Sequence, residues 1–346
     1  MKKNLKDYSL AELENMIREM GHPAYRARQV AEWLFQKGAA SFDEMTNIPR
    51  GLRDSLSTAY APGALQVLKK QVSGRGGTVK YLLGLADGQA VETVLMRYTY
   101  GLSACLSTQV GCRMGCRLCA SAAGGKVRNL SPGEIYDQVL SVQRDTGERV
   151  SRIVLMGTGE PLDNLDNTLK FIYLVTAVYA LNISMRHITL STCGVVPGIE
   201  KLANLKLPLT LAVSLHAPED GLRSNLLPIN NRYPLGSLME ACRRYIETTG
   251  RRMTFEYALI AGVNDSREHA TKLSKLLRGM FCHVNLIPFN RVPGKPYTAT
   301  GPGTVQAFRQ ELERAGIRVT VRRRLGEDID AACGQLRRRN ISQSGD

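Results

Sequence analysis

The chain has 346 residues, 43% hydrophobic and 22% charged, which favours about two folding units, or one large α/β unit with an appendage, and excludes collagen-like, disordered and disulfide-scaffold classes. Lysine and arginine outnumber aspartate and glutamate by 46 to 31, a formal charge of +15. That excess points to a polyanionic partner, nucleic acid before membrane, because the basic residues sit in ordinary domain sequence and not on an amphipathic anchor. No apolar run reaches bilayer length and none follows Met1-Lys2-Lys3, so a cytoplasmic protein without a membrane partner is expected. With one Trp and seven Phe, stacking on many exposed bases is not the expected mode of binding.

Residues 1–60 read as a helical accessory domain. Ser9 and Glu12 make a capping box, Leu10, Leu13, Ile17 and Met20 share a helical face, and Gly21 and Pro23 stop the helix. A second amphipathic stretch carries Val30, Trp33 and Leu34 and ends before Gly38. Residues 61–97 form a short β extension, with Asp87-Gly88 turning a hairpin between 78–85 and 90–95. From 98 to 336, strands and helices alternate as in a parallel sheet with helical crossovers. Candidate strands are 104–110, 152–156, 187–191, 209–215, 253–259, 283–287 and 319–321. The clearest helix opens at Ser131-Pro132-Gly133-Glu134, with an N-cap, a first-turn proline and a capping box. The pattern predicts an α/β fold built on a partial (β/α)6-type barrel, with its chemistry in loops after the C-terminal strand ends. Residues 337–346 read as a basic, disordered tail.

Eight cysteines, Cys105, Cys112, Cys116, Cys119, Cys193, Cys242, Cys282 and Cys333, are not a disulfide framework in a cytosolic chain of this size. Cys242 and Cys282 read as small buried hydrophobes. Cys112-Arg113-Met114-Gly115-Cys116-Arg117-Leu118-Cys119 is a C-x3-C-x2-C run on one loop. Three close thiolates can each hold one iron of a 4Fe-4S cube and leave the fourth iron open. Zinc is the alternative, but it wants a fourth Cys or His, and no His lies between Cys105 and His187. Gly157-Thr158-Gly159-Glu160-Pro161 follows the next strand. It departs from a dinucleotide fingerprint at Leu162, yet its glycines let backbone approach a ligand, and Glu160 can accept a hydrogen bond from an amine.

Together, the cysteine triad and the Gly-x-Gly-Glu-Pro turn resemble the radical S-adenosylmethionine (SAM) enzymes. Further runs follow in order: Cys105-Leu106-Ser107-Thr108-Gln109-Val110-Gly111-Cys112, Arg128-Asn129-Leu130, Ser214-Leu215-His216-Ala217-Pro218, Leu227-Pro228-Ile229-Asn230, Gly262-Val263-Asn264-Asp265, Asn285-Leu286-Ile287-Pro288-Phe289-Asn290 and Asp328-Ile329-Asp330-Ala331-Ala332-Cys333-Gly334-Gln335-Leu336. They are similar, over nearly the whole chain, to the RlmN family of RNA adenine carbon-2 methyltransferases. The resemblance implies that Cys112, Cys116 and Cys119 hold a 4Fe-4S cluster. It implies that Gly159, Glu160, Ser191, Ser214, Leu215, His216 and Asn290 line the site for SAM, of which two are used per turnover. Cys333 would carry the methyl group, Cys105 would resolve the intermediate and Glu92 would accept the proton. The implied partners are 23S rRNA, tRNA and an external electron donor such as a flavodoxin or ferredoxin system, with the chain acting as a monomer.

Three positions depart from the family pattern: Cys193 where serine is commoner, Thr158 where methionine is common, and Leu118 where an aromatic usually precedes the last cluster cysteine. Arg322-Arg323-Arg324 before Cys333 and Arg337-Arg338-Arg339 after it are placed to guide phosphates. The rival readings are a Cfr-type carbon-8 methyltransferase, which shares five cysteines, and a non-catalytic redox-sensing Fe-S protein that binds RNA.

Overall fold

The computed structural model describes residues 2–74, 76–292, 294–323, 325–331 and 335. Cys333, Arg324, Arg337-Arg338-Arg339 and the whole 337–346 tail expected to be disordered lie outside the described residues.

Strand β1 (Lys3–Asn4) pairs in parallel with β2 (Tyr60–Ala61) and brackets the helical segment α1 (Leu10–Glu19), α2 (Arg26–Ala31) and α3 (Arg50–Ala59). The expected cap of α1 is present in both directions: Glu12 N–H donates to Ser9 Oγ, and Ser9 N–H donates to the Glu12 carboxylate. α2 runs into a π-helical turn, Glu32–Lys37, which ends where Gly38 turns left-handed. Leu13, Ile17, Val30, Leu34, Phe35, Leu52 and Leu56 face a core that is continuous with that of the sheet. Each such side chain contributes roughly 1.5–3 kcal/mol by leaving water. A buried Lys6–Asp137 ion pair at 2.7 Å and a Tyr136 hydroxyl donating to Phe35 O at 2.9 Å fasten this segment to the first crossover helix.

The remaining strands are β3 (Gln66–Val72), β4 (Thr78–Gly84), β5 (Ala90–Tyr98), β6 (Gly101–Cys105), the small ribbon β7 (Gln109–Gly111) and β8 (Lys126–Asn129), then β9 (Val150–Leu155), β10 (Ile188–Thr192), β11 (Thr210–Ser214), β12 (Met253–Leu259), β13 (Cys282–Pro288) and β14 (Arg318–Val321). Helices α4 (Pro132–Thr146), α5 (Leu165–Thr176), α6 (Val196–Leu205), α7 (Asp220–Leu226), α8 (Leu235–Thr249), α9 (Arg267–Leu276) and α10 (Pro302–Arg314) provide the crossovers. One sheet runs β14-β13-β12-β11-β10-β9-β6-β5-β4-β3, parallel from β14 to β6 and antiparallel beyond. Central strands buried on both faces carry near-continuous apolar runs, as in β12. This is the α/β half-barrel that the alternation predicts, and the β extension continues its sheet through the β5–β6 pairing.

One expected strand is broken. The 104–110 run divides into β6 and β7 because the chain between them is captured by its neighbours: Leu106 N–H donates to Val154 O, Gly157 N–H to Leu106 O, Thr108 N–H to Thr158 O, and Ser107 Oγ to Glu92 O. β7 then pairs with β8, away from the main sheet.

The sheet curls without closing by strand pairing. Arg322, just past β14, reaches Met156, just past β9, at 3.7 Å. Residues 325–331 cross to the opposite edge, where Asp328 accepts from Ser73 Oγ and Gly74 N–H and the Asp330 carbonyl accepts from Lys80. The gap in the barrel is therefore bridged by chain. Among the described residues, no helix is long and apolar enough to cross a membrane.

Candidate active site

The strand-end turn and the cysteine loop are built as one unit. A Cβ on Gly157 would lie 2.6 Å from Leu106 O, and one on Gly159 would lie 2.7 Å from Gln109 Cβ at a φ of +112°, so glycine is required where the two segments touch. Thr158 N–H donates to Ser107 Oγ and Glu160 N–H to Gln109 Oε1, both at 2.9 Å. Asp163, one turn later, accepts from Gln109 and from Lys126 at 2.8 Å and pairs with Arg113 between the first two cluster-motif cysteines. The turn thereby fixes the loop that carries the thiols.

Cys112, Cys116, Cys119, Gly159, Glu160, Ser191, Ser214, His216 and Asn290 all line one cavity at the C-terminal ends of the parallel strands. Leu215 does not; its side chain is in the core, and its backbone N–H bonds Glu256 O at 3.0 Å. Burial pushes the Cys112 thiol up to about 12 and raises Cys119 as well, so a bound iron would have to displace their protons. Among the described residues, no three His, Cys, Asp or Glu side chains converge on a point as a single ion requires. A cube held one iron per thiolate does not need that convergence.

Glu160 is buried with each oxygen committed: Oε1 accepts Leu162 N–H at 3.0 Å and Oε2 accepts Cys193 N–H at 2.8 Å. Burial raises its carboxyl and the two amides oppose that rise. The side chain is thus held in place at the cavity wall. His216 sits at a φ of +57°, and its Nδ1 accepts Ala258 N–H at 3.0 Å. Burial, helped by Arg223, pushes the ring down to about 3, so it is neutral and carries its proton on Nε2. Of the departures, Cys193 and Leu118 line the cavity, whereas Thr158 is buried in the turn. Contact with Cys116, then burial and the Glu160 charge, hold the Cys193 thiol well above its ordinary value. Cys242 and Cys282 are buried, as expected.

Cys105 and Glu92 stand apart from this cavity and together with each other. Val94 of β5 is opposite Cys105 of β6, and alternation puts Glu92 on the same face as Val94. Glu92 is 2% exposed, not on a solvated face, and meets Lys80 at 3.5 Å. Cys105 belongs to a small apolar cluster with Val94, Met96 and Ala331, so the chain two residues before Cys333 enters the same cluster.

Sequence reasoning missed several supporting residues. Lys80 joins Glu92 to the 325–331 segment. Arg223, fully buried on α7, donates to Cys193 O at 2.7 Å, Ser214 O at 3.1 Å and Asn230 at 2.9 Å, tying the ends of β10 and β11. Asn264 donates to His216 O at 2.8 Å and Ala258 O at 2.6 Å. Arg128 is structural, bonding Glu134 at the start of α4 and Asp87 in the hairpin turn. Of these, Asn230, Asn264 and Arg128 fall in recognisable runs, while Lys80 and Arg223 carry no local signal.

Residues 3–61 match the family described as the ribosomal RNA large subunit methyltransferase N-terminal domain, and residues 106–273 match the radical SAM superfamily. A probable dual-specificity RNA methyltransferase RlmN of Desulforamulus reducens is 59% identical over 99% of this chain and 98% of its own. Its counterpart in Clostridium perfringens is 50% identical over 99% of both chains. The crystal structure of a radical SAM methyltransferase from Sphaerobacter thermophilus superposes with a TM-score of 0.93 at 45% identity, covering 96% of this chain and 99% of that one. With the thiol loop, the Gly-Glu-Pro turn and the cavity between them, these likenesses show that the chain belongs to the RlmN family of radical SAM RNA methyltransferases.

Proposed function

We propose that the chain methylates carbon 2 of adenine in 23S rRNA and in tRNA, with Cys333 carrying the methyl group, Cys105 resolving the protein–RNA linkage and Glu92 accepting the proton. The observation that supports this best is the meeting of Glu92, Cys105 and the chain leading to Cys333 on one inner face of the sheet. In this reading Cys112, Cys116 and Cys119 hold the 4Fe-4S cluster. Glu160, Ser191, Ser214, His216 and Asn290 hold SAM, two per turnover, with Gly159 and Leu215 contributing backbone. When bound, the cluster supplies the electron that cleaves SAM to a radical able to take a hydrogen atom from a methyl group.

Carbon 2 of adenine is electron-poor and has no acidic proton, so simple displacement on the SAM methyl group has no route. Cys333 accepts a methyl group as a thioether and presents its carbon to the base, which must first leave its stack. Loss of one hydrogen atom from that methyl group leaves a carbon radical, and its addition at carbon 2 joins chain to RNA as a radical adduct. The radical adduct gives up its unpaired electron to the external electron-transfer system and its carbon-2 proton to Glu92, and the Cys105 thiolate attacks the Cys333 sulfur. The carbon–sulfur bond breaks with its electron pair on the methylene carbon, which takes up a proton, so methylated adenine leaves and a Cys105–Cys333 disulfide remains, which an external donor of the flavodoxin or ferredoxin type reduces. The chain does this as a cytoplasmic monomer. Cys105→Ala tests the scheme: a covalent protein–RNA adduct accumulates on denaturing gels, whereas free methylated nucleoside at the wild-type rate, with no adduct, would contradict it.

A further inference from the structure

The lumen continues past the site toward the other end of the barrel. Alternation along each strand puts Arg152 and Val154 on the inner face with Met156, Thr189 with Ser191, Thr210 with Ser214, and Thr254 with Glu256. A second cavity at the N-terminal strand ends is lined by Arg152, Thr189, Thr210 and Thr254, and it shares Met156, Glu256 and Arg322 with the first. Two openings therefore lead to one interior.

The lip of the second opening has a distinctive composition. Tyr98 and Tyr100 stack at 4.9 Å with their rings 8° apart, and the Arg152 guanidinium lies 4.5 Å over Tyr100. Tyr100 is 56% exposed, and Arg186 and His187 are exposed beside it. The lining's carboxylate, Glu256, is buried and faces Arg322 at 3.9 Å; among the described residues no carboxylate pairs with Arg152 or Arg186. A flat aromatic pair beside cations that no acid neutralises suits a polyanion that also presents π-faces. Single-stranded nucleic acid has both properties. A single stacked pair is compatible with the sparse aromatics, which argue only against stacking on many exposed bases.

We propose that this opening is a docking subsite for an RNA nucleotide neighbouring the target adenine, its base against the Tyr98–Tyr100 stack and its phosphate on Arg152 and Arg186. The inference rests on RNA being the substrate. It is tested with the intact, cluster-loaded chain and a labelled RNA hairpin carrying the target adenine, by fluorescence anisotropy over a salt series. Tyr100→Ala and Arg186→Glu each raise the dissociation constant roughly fivefold or more. Arg186→Glu also reduces the slope of log affinity against log salt by about one. Arg50→Glu, a charge reversal on α3, is the control and shifts affinity less than twofold. SAM cleavage without RNA is unchanged in all three, and both tested side chains lie at the lip, so thermal melts should coincide. Affinities within twofold of wild type for Tyr100→Ala and Arg186→Glu would overturn the subsite, as would a loss for Arg186→Glu no larger than that for Arg50→Glu. Wild-type protein that binds no hairpin at all would remove the RNA reading together with the subsite.

Discussion

The Lys80 ammonium lies 3.5 Å from Glu92 Oε1 and donates to the Asp330 carbonyl at 3.2 Å, with Lys80 3% and Glu92 2% exposed. One buried cation thus holds the proposed proton acceptor and the chain leading to Cys333. Lys80→Met leaves the carboxylate buried without this cation and should cost about 3–5 kcal/mol. Adding Glu92→Gln should recover much of that loss, because a neutral amide no longer needs the ammonium, while turnover stays low because the acceptor is gone. Denaturant unfolding beside product assays checks this; a double variant no more stable than Lys80→Met would contradict the pairing.

His216 gives a pH signature. Its folded value near 3 lies below the ordinary histidine value of 6.5, so between those pH values the unfolded chain binds a proton that the folded chain refuses. Stability tied to the neutral ring is therefore full above pH 6.5 and falls on acidification, by up to about 1.4 kcal/mol per pH unit. His216→Asn should show a shallower loss between pH 6.5 and 4.5. Parallel profiles for the two proteins would mean that the ring is not held neutral.

Gly159→Ala should be costly in two ways. It puts a side chain at a φ of +112° and a methyl carbon 2.7 Å from Gln109 Cβ, for a loss of about 2–5 kcal/mol. Gly262→Ala, at +69° with nothing within 4 Å, should cost only about 1–2 kcal/mol. Equal melting shifts in the two variants would show that the turn can relax.

Arg223 acts through the ends of β10 and β11. Arg223→Met deprives the Cys193 and Ser214 carbonyls of their guanidinium donor and should destabilise the fold by about 2–3 kcal/mol. The Ser191 and Ser214 strand ends should then loosen and raise the SAM dissociation constant roughly tenfold, about one hydrogen bond's worth. Equilibrium dialysis of folded variant reads this, and unchanged affinity would mean that the clamp serves stability alone.

Local chemistry was legible in the chain; cross-strand chemistry was not. The thiol loop, the Gly157–Gly159 turn and the caps at Ser9 and Ser131 are written in consecutive residues, so spacing alone locates them. The break after Cys105 depends on hydrogen bonds to Thr158 and Glu92, which the 104–110 run does not encode. Nothing in the run 91–94 shows that Glu92 is buried beside Lys80, which also holds the Asp330 carbonyl. Tyr98, Tyr100, Arg152 and Arg186 span nearly ninety positions, and only the curl of the sheet makes them neighbours. Arg223 has the sequence context of a polar helix, and its burial follows from how α7 packs under two strand ends.

The most direct measurement of the central claim is anaerobic. Cluster-reconstituted protein is given reductant, methyl-labelled SAM and unmodified rRNA, with Cys333→Ala in parallel, and the label is located by nucleoside mass spectrometry. The account predicts label in 2-methyladenosine from the wild type and none from the variant. Label in 8-methyladenosine would transfer the chain to the carbon-8 reaction, and 2-methyladenosine formed by Cys333→Ala would contradict the methyl-carrier role.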